Sequence, residues 1–420
     1  VAESMKIAAT TVASQLLRLP WHTPLEQWTD DLLAALPQGI SRHVVRFINL
    51  DDRVIAVKEI GEFTAHHEYR MLRDLGRMGA PAVRPLAVIT GRKDADGNPL
   101  TAALVTEHLQ YSLPYRAVFS QQVTPDTVVR LIDSLAVLLV RLHLQGFYWG
   151  DVSLSNTLFR RDADAFSAYL VDAETGDLKG SLSDQRRLYD VDVARTNIIG
   201  ELMDLQAGGL LDCGVDVIDI GTRIEERYTG LWQELTGEES IGLEEAWRVD
   251  ERIRRLNDLG FDVGELKVTS EDNRVVFRPR VVDAGHHHRQ LMRLTGLDVQ
   301  EQQARRMLNS MQTYRLAAGL ENMPLEQVAH RWVSEVFEAT ISQVPAGLKG
   351  KLQDAQIFHE ILEHRWYMAE KRRADVSLAE ATRSYIDLVL PGHRDEAVYL
   401  PTGDDDDTDG AGLDALVDFG

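Results

Sequence analysis

Asp151, Asn156 and Asp172 are the side chains of this sequence best spaced to do chemistry together. The first two sit in G-F-Y-W-G-D-V-S-L-S-N-T-L-F (146–159) and the third in Y-L-V-D-A-E-T-G (169–176). A carboxylate that orients or deprotonates a hydroxyl, beside an amide and a second carboxylate that offer hard oxygens to magnesium, is the equipment of phosphoryl transfer. The Asp-x-x-x-x-Asn spacing alone decides little, because Asp192 and Asn197 repeat it. That second copy lies in a run with helical periodicity (Leu188, Val191, Ile198, Leu202, Leu205), where residues five apart point in different directions. The first copy follows an apolar helix over Val128–Leu144, which Gly146 can stop. Two short strands, Thr157–Phe159 and Ala168–Val171, then flank a polar turn at 160–164 and lead to Asp172. Helix, loop, hairpin and aspartate thus follow one another along the chain.

These elements must face a second set. Arg53-Val-Ile-Ala-Val-Lys-Glu-Ile60 alternates as a half-buried strand does and carries one lysine, Lys58. A lysine there can grip nucleotide phosphates as a point charge. Its carboxylate partner is expected to be Glu68, in a helix capped by Thr64 and running over Ala65–Leu75; Glu62, in the preceding turn, is the alternative. Asp94–Pro99 reads as a hairpin turn leading into a strand over Leu100–Thr106, not as a calcium loop, because its glycine is misplaced and no glutamate closes it.

The loop W-G-D-V-S-L-S-N resembles H-R-D-x-x-x-x-N of the protein-kinase-like superfamily, and D-A-E-T-G takes the place of its D-F-G. The variation is similar to the lipopolysaccharide-kinase and small-molecule phosphotransferase branch. The resemblance implies an α+β, two-lobed kinase-like domain, with a small β-rich lobe (36–109) and a short helical lobe (110–232). It implies ATP and magnesium as cofactors, Asp151, Lys58 and Glu68 as catalytic residues, and Asn156 and Asp172 as metal ligands. The end of the Leu100–Thr106 strand, with Glu107 and Leu109, becomes a nucleotide-binding hinge. A glycine-rich phosphate loop is missing; Gly39-Ile-Ser-Arg-His43 offers Ser41, Arg42 and His43 in its place. Gly150 occupies the arginine position of H-R-D, so activation by a phosphate paired there is not expected. Asp190 or Asp192 is a candidate to hydrogen-bond the catalytic loop from below.

Composition bounds the remaining options. The 420 residues suffice for two or three domains, and a net charge of −21 argues against nucleic-acid or anionic-membrane binding by the whole surface. One cysteine, Cys213, excludes an internal disulfide and fits a reducing, cytoplasmic setting. No basic-then-apolar leader pattern opens the sequence. The apolar Val128–Leu144 helix contains Arg130, Asp133 and Arg141, so a membrane span is not expected.

Residues 1–35 read as a helical extension, opened by a capping box at Thr23-Pro-Leu-Glu26. From 233 to 400 a mostly helical accessory region is expected, beginning with a helix over Leu231–Leu259 and a hairpin over Phe261–Val282. Three of its segments, R-P-R-V-V-D-A-G-H-H-H-R (278–289), T-G-L-D-V-Q-E-Q-Q-A-R-R (295–306) and F-H-E-I-L-E-H-R-W-Y (358–367), resemble a domain of unknown function that follows lipopolysaccharide-kinase-like domains in actinobacterial proteins. His359 and His364 are five apart, one too many for a zinc-protease helix. Pairing of His359 with Glu363 and of Glu360 with His364 is expected instead. Arg274 to Arg315 carries eight arginines against three acidic residues, a candidate anion-binding surface that would sit at the mouth of the cleft through Arg278, Arg280, Arg289 and Arg293. Residues 401–420 read as an acidic, disordered tail. Three functions are compatible with these features: an ATP- and magnesium-dependent phosphotransferase of unknown acceptor, a nucleotide-binding pseudokinase that regulates a partner, or a nucleic-acid-associated protein using the basic segment.

Overall fold

The computed structural model describes residues 5–9, 13–29, 32–34, 43–50, 53–119, 125–212, 214–242, 247–271 and 274–397. Ser41, Arg42, Cys213 and the acidic tail lie outside them. The architecture is α+β, with a β-rich small lobe, a helical lobe, and a mostly helical region that carries a β-hairpin.

The small lobe is a five-stranded sheet ordered β1-β4-β5-β3-β2. Its strands are β1 (Lys6–Ala9), β2 (Val45–Leu50), β3 (Arg53–Ile60), β4 (Pro85–Thr90) and β5 (Ala102–Glu107). Alternation along β3 sends Ile55 and Val57 to one face and Lys58 and Ile60 to the other, as pleating requires. The first face packs under Leu16, Leu19, Trp21, Leu25 and Trp28. The expected helical extension is therefore corrected. Lys6–Ala9 is an edge strand paired with β4, and Thr23–Glu26 opens only a 3-10 turn, Leu25–Gln27, with no side-chain cap. Buried Arg92 ties this segment down by donating to the carbonyls of Trp21 (3.0 Å) and Thr23 (2.9 Å) and to Glu59 Oε1 (2.8 Å).

The other face of the sheet receives the helix Glu62–Arg77, whose buried stripe is Ala65, Glu68, Tyr69, Leu72 and Leu75. Its N-cap is Gly61, without a side-chain cap, so Thr64 lies inside the helix and does not open it. Asp94 does organise its turn, accepting from the backbone of Asp96 and Asn98.

After the crossing at Glu107–Leu109 come β6 (Ser112–Pro114), the helix Pro125–Leu144, β7 (Phe147–Tyr148), β8 (Thr157–Asp162), β9 (Ala165–Leu170) and β10 (Asp177–Leu178). The β8–β9 ladder is longer than the sequence implies, closing at Ala163-Asp164, where Ala163 adopts φ 56°. The helices Asp184–Ala207 and Val217–Thr236 complete the lobe around Leu131, Leu135, Leu139, Ile198, Leu202 and Ile224.

The predicted single helix over 231–259 is broken. Gly237 ends one helix, β11 (Glu239–Gly242) follows, and Trp247–Asp258 is a separate helix. β11 pairs with β13 (Arg274–Ala284), which also forms the expected hairpin with β12 (Phe261–Glu271). The remaining helices enclose their own core around Leu291, Met307, Trp332, Phe358 and Tyr385. Glu360 accepts from Tyr385 (2.7 Å) and His393 (3.1 Å) instead of pairing with His364, which bonds Ser384.

This accessory region grips the turn end of the β8–β9 hairpin. Gln303 N–H donates to Asp162 (2.8 Å), Ala163 N–H to Gln356 (3.0 Å), Tyr169 Oη to Gln300 (2.6 Å) and Arg161 to Glu396 (2.8 Å). Among the described residues no helix is long and apolar enough to cross a membrane.

Candidate active site

Lys58, Glu68 and Asp172 meet as the sequence predicts. Lys58 Nζ lies 3.1 Å from Glu68 Oε2 and 2.7 Å from Asp172 Oδ2, with Glu174 Oε2 at 3.6 Å. Glu62 is exposed and takes no part. Glu68 stands on the apolar stripe of its helix at 1% exposure, where an unpaired carboxylate would be prohibitive. Burial, with Asp172 adding repulsion, pushes its pKa up to about 8 even beside Lys58. Burial draws Lys58 down, but the three carboxylates outweigh it and hold the ammonium above its ordinary value. Even with Glu68 largely protonated at neutral pH, Asp172 and Glu174 beside one ammonium leave a surplus of negative charge, which a divalent cation would relieve.

Asp151 and Asn156 form the second group. Asn156 Nδ2 donates to the Asp151 carbonyl (2.9 Å) and to Asp151 Oδ2 (3.0 Å), which leaves its amide oxygen as the end able to bind a cation. The two groups are locked together. Val171 N–H donates to Asn156 O (3.1 Å), Trp149 Nε1 to Asp172 O (2.9 Å) and Thr175 Oγ1 to Trp149 O (2.7 Å). Trp149, in the histidine position of the kinase loop, is thus a buried strut.

The loop rests on Asp190, which is fully buried and accepts from Trp149 N–H (2.8 Å) and Gly150 N–H (2.7 Å). His143 Nε2 is 3.1 Å from the same carboxylate, and its Nδ1 is 2.7 Å from Tyr228 Oη, to which Arg187 donates (2.9 Å). Since Tyr228 accepts from Arg187, its hydroxyl proton goes to Nδ1, and the imidazole is neutral with its proton on Nε2. Burial, which lowers the His143 pKa, agrees. Gly150 has φ 81°, and a Cβ there would lie 3.1 Å from the Tyr148 ring and 3.3 Å from Thr175 O, so the position that carries arginine in H-R-D is closed to side chains here.

Of the two candidate supports, Asp192 is on the surface, paired with Arg195, whereas Asn197 Nδ2 donates to Val152 O (3.0 Å). The second Asp-x-x-x-x-Asn copy therefore supplies a prop and no metal site. Glu201, which sequence reasoning missed, accepts from Leu154 N–H and Ser155 N–H, both at 2.8 Å. Glu174 was missed as well. It sits in D-A-E-T-G two residues from Asp172, a spacing that was the available signal, and its carboxylate also contacts His43 Nε2 at 3.2 Å. One oxygen each from Glu68, Asp172 and Glu174 lie within 4.8 Å of one another, close enough to share a cation.

At the hinge, Glu107 N–H and His108 N–H are taken by the carbonyls of Arg84 (2.8 Å) and Val54 (3.0 Å). The Glu107 carboxylate pairs with Arg84 at 2.6 Å. Leu109 O accepts from Ser112 Oγ (2.5 Å), while Leu109 N–H meets no backbone acceptor among the described residues.

Residues 51–194 match the lipopolysaccharide kinase (Kdo/WaaP) family. That span runs from the strand bearing Lys58 into the helix bearing Asp190, and it includes Glu68, Asp151, Asn156 and Asp172. Residues 230–390 match a domain of unknown function, DUF4032. No curated protein matches the sequence. Among solved structures, a chain described as WaaP in complex with acyl carrier protein aligns at 17% identity, covering 60% of this chain and 99% of that chain with a TM-score of 0.34.

The basic segment does not line the cleft. Arg306 pairs with Asp164 at the turn of the β8–β9 hairpin, whereas Asp172 follows β9 at the opposite end, about 20 Å away at ~3.3 Å per strand residue. Arg289 pairs with Asp262, Arg305 with Asp258, and Arg278 with Glu238. The side chain of Arg280 lies outside what is described. The sequence placed these arginines at the cleft mouth; instead Arg306 sits at the turn end of the hairpin, and Arg278, Arg289 and Arg305 are each taken by a carboxylate outside the Lys58 cluster.

Proposed function

We propose that this kinase-like protein is an ATP- and magnesium-dependent phosphotransferase that acts on a hydroxyl acceptor. The observation that carries this reading is the cluster of Lys58 with Glu68, Asp172 and Glu174, set beside an Asp151 already fixed by Asn156. Magnesium bound there would neutralise phosphate charge. Asp172 and the Asn156 amide oxygen are its ligands, and Glu174 is a further candidate. Lys58, held by Glu68, would bind the nucleotide phosphates as a point charge. Leu109 N–H is a donor suited to adenine, and Asp151 orients the acceptor hydroxyl and takes its proton. Glu107, already engaged with Arg84, contributes to the hinge through its backbone.

Calorimetric titration of ATP with and without magnesium tests this assignment. Affinity in the wild type should rise at least about tenfold with magnesium, ~1.4 kcal/mol, and Asp172→Ala should abolish that gain. Magnesium-independent binding in both proteins would refute the metal assignment.

A second reading, a nucleotide-binding regulatory protein, is favoured by one observation: Lys58 is bonded directly to Asp172 and His43 spans to Glu174, a closed arrangement that turnover must open. The nucleic-acid reading draws no support, since Arg278, Arg289, Arg305 and Arg306 are each paired with a carboxylate.

A further inference from the structure

A cavity of about 1230 Å³ separates the back of the helical lobe from the accessory region. The β8–β9 hairpin, the helix Pro125–Leu144 and the loop Gly79–Pro81 form one wall, and residues 284–309 form much of the other. Its volume can accommodate a ligand of nucleotide size.

The charges lining it are unevenly paired. Asp133 is bound by Arg223, Asp258 by Arg305, and Glu301 accepts from His287. Asp162 is enclosed by Gln303 N–H and Ser167. Arg141 and Arg227 form no ion pair among the described residues, and the Nε of each is sealed from solvent without a hydrogen-bond acceptor. The one hydrogen bond Arg141 makes is long, from Nη2 to Gly79 O at 3.5 Å. Arg160 reaches only the Gln110 carbonyl and the face of Tyr169. Both side chains are half-buried, and the sealed Nε of each is a donor left without an acceptor at the edge of the cavity. Two of them opening on one cavity therefore point to an anion. Planar guanidinium forks match phosphate oxygens in pairs, and Phe166 and Phe261 in the same lining offer apolar walls to the remainder of a ligand.

We propose that this cavity binds a phosphate-bearing small molecule, with Arg141 and Arg227 as its principal cations and Arg160 as a third. The site is separate from the Lys58 cleft and stands whether or not that cleft is catalytic. It adjoins the loop after the Glu68 helix and Gln110 and Tyr111 beyond the hinge. A ligand there would connect the accessory region to the two elements that hold Lys58's partner and the nucleotide.

Inorganic pyrophosphate is the probe, titrated into the full chain without magnesium by calorimetry and thermal shift. One molecule should bind and raise the melting temperature. Arg141→Met and Arg227→Met, which keep chain length and remove charge, should each weaken binding at least about tenfold, ~1.4 kcal/mol, and leave the unliganded melting temperature unchanged or higher. Lys58→Met should bind pyrophosphate as the wild type does. Failure of the wild type to bind at millimolar pyrophosphate overturns the proposal, as does equal binding by both arginine variants. Loss in Lys58→Met alone would relocate the binding to the catalytic cleft. Equal affinity for citrate would remove the phosphate assignment. Should Arg141→Met fail to fold, Arg227→Met decides by itself.

Discussion

Asp190→Asn isolates the support of the catalytic loop from its chemistry. The buried carboxylate accepts two short bonds, from Trp149 N–H and Gly150 N–H, and faces the Nε2 proton of His143. An amide of the same shape supplies one oxygen for these three donors and turns its NH₂ toward at least one of them. Hydrogen bonds to a charged group contribute about 1.5–3 kcal/mol each, and an unsatisfied buried donor costs roughly 1–3 kcal/mol. Losing one such bond while weakening another sets the expected destabilisation at about 2–4 kcal/mol. Denaturant unfolding followed by tryptophan fluorescence measures it. Because Gly150 precedes Asp151, the variant should also turn over more slowly, while ATP affinity, set by Lys58 and Asp172, stays within about threefold, ~0.6 kcal/mol. A stability loss below about 0.5 kcal/mol would refute the reasoning, since it would mean that the carboxylate does not carry the loop.

Two further perturbations test the structure elsewhere. Gly150→Ala forces a Cβ into a backbone at φ 81° and against Thr175 O, and should cost about 1–3 kcal/mol by the same unfolding assay; a neutral result would show that the loop has another conformation. Burial would raise the pKa of Glu360, but hydrogen bonds from His393, Tyr385 and Gln356 outweigh it and bring the carboxyl down to about 2. Because the folded value is depressed from 4.5, the stabilisation is fully present above pH 4.5 and disappears as pH falls toward 2. It amounts to about 3 kcal/mol. Glu360→Gln should remove it at neutral pH and flatten the acid limb of the stability profile, and unchanged acid dependence would contradict the assignment.

The residues proposed as catalytic were legible in the sequence because they are anchored by local pattern. Asp151 and Asn156 share one loop, Asp172 follows a strand paired with the strand that follows that loop, and Lys58 is the one lysine in an alternating strand. Glu68 was readable because a helix opening soon after the Lys58 strand places it in the first turns, and the helix does open there, at Gly61. The N-terminal strand was not, since Lys-Ile-Ala-Ala has no strong preference of its own and becomes a strand by pairing with β4. Thr64 looked like a cap, but Gly61 opens the helix earlier without one. Glu201 reaches the loop from 46 residues away in sequence, and His143 and Tyr228, 85 residues apart, act on it through Asp190, so no spacing announces such partners. The basic segment misled for a related reason. Composition counts its arginines, but Asp262, Asp258 and Asp164, which pair with three of them, come from other elements.

The most direct test of the catalytic claim is a phosphorus NMR time course of ATP with magnesium in the presence of the wild-type chain and of Asp151→Asn. The wild type should consume the γ-phosphate, slowly when water is the only acceptor, and the variant should bind ATP equally well without consuming it. If the wild type binds ATP with magnesium and leaves it intact in the presence of candidate hydroxyl acceptors, or if Asp151→Asn consumes it at the wild-type rate, the account of Asp151 as the base of a phosphotransferase is wrong.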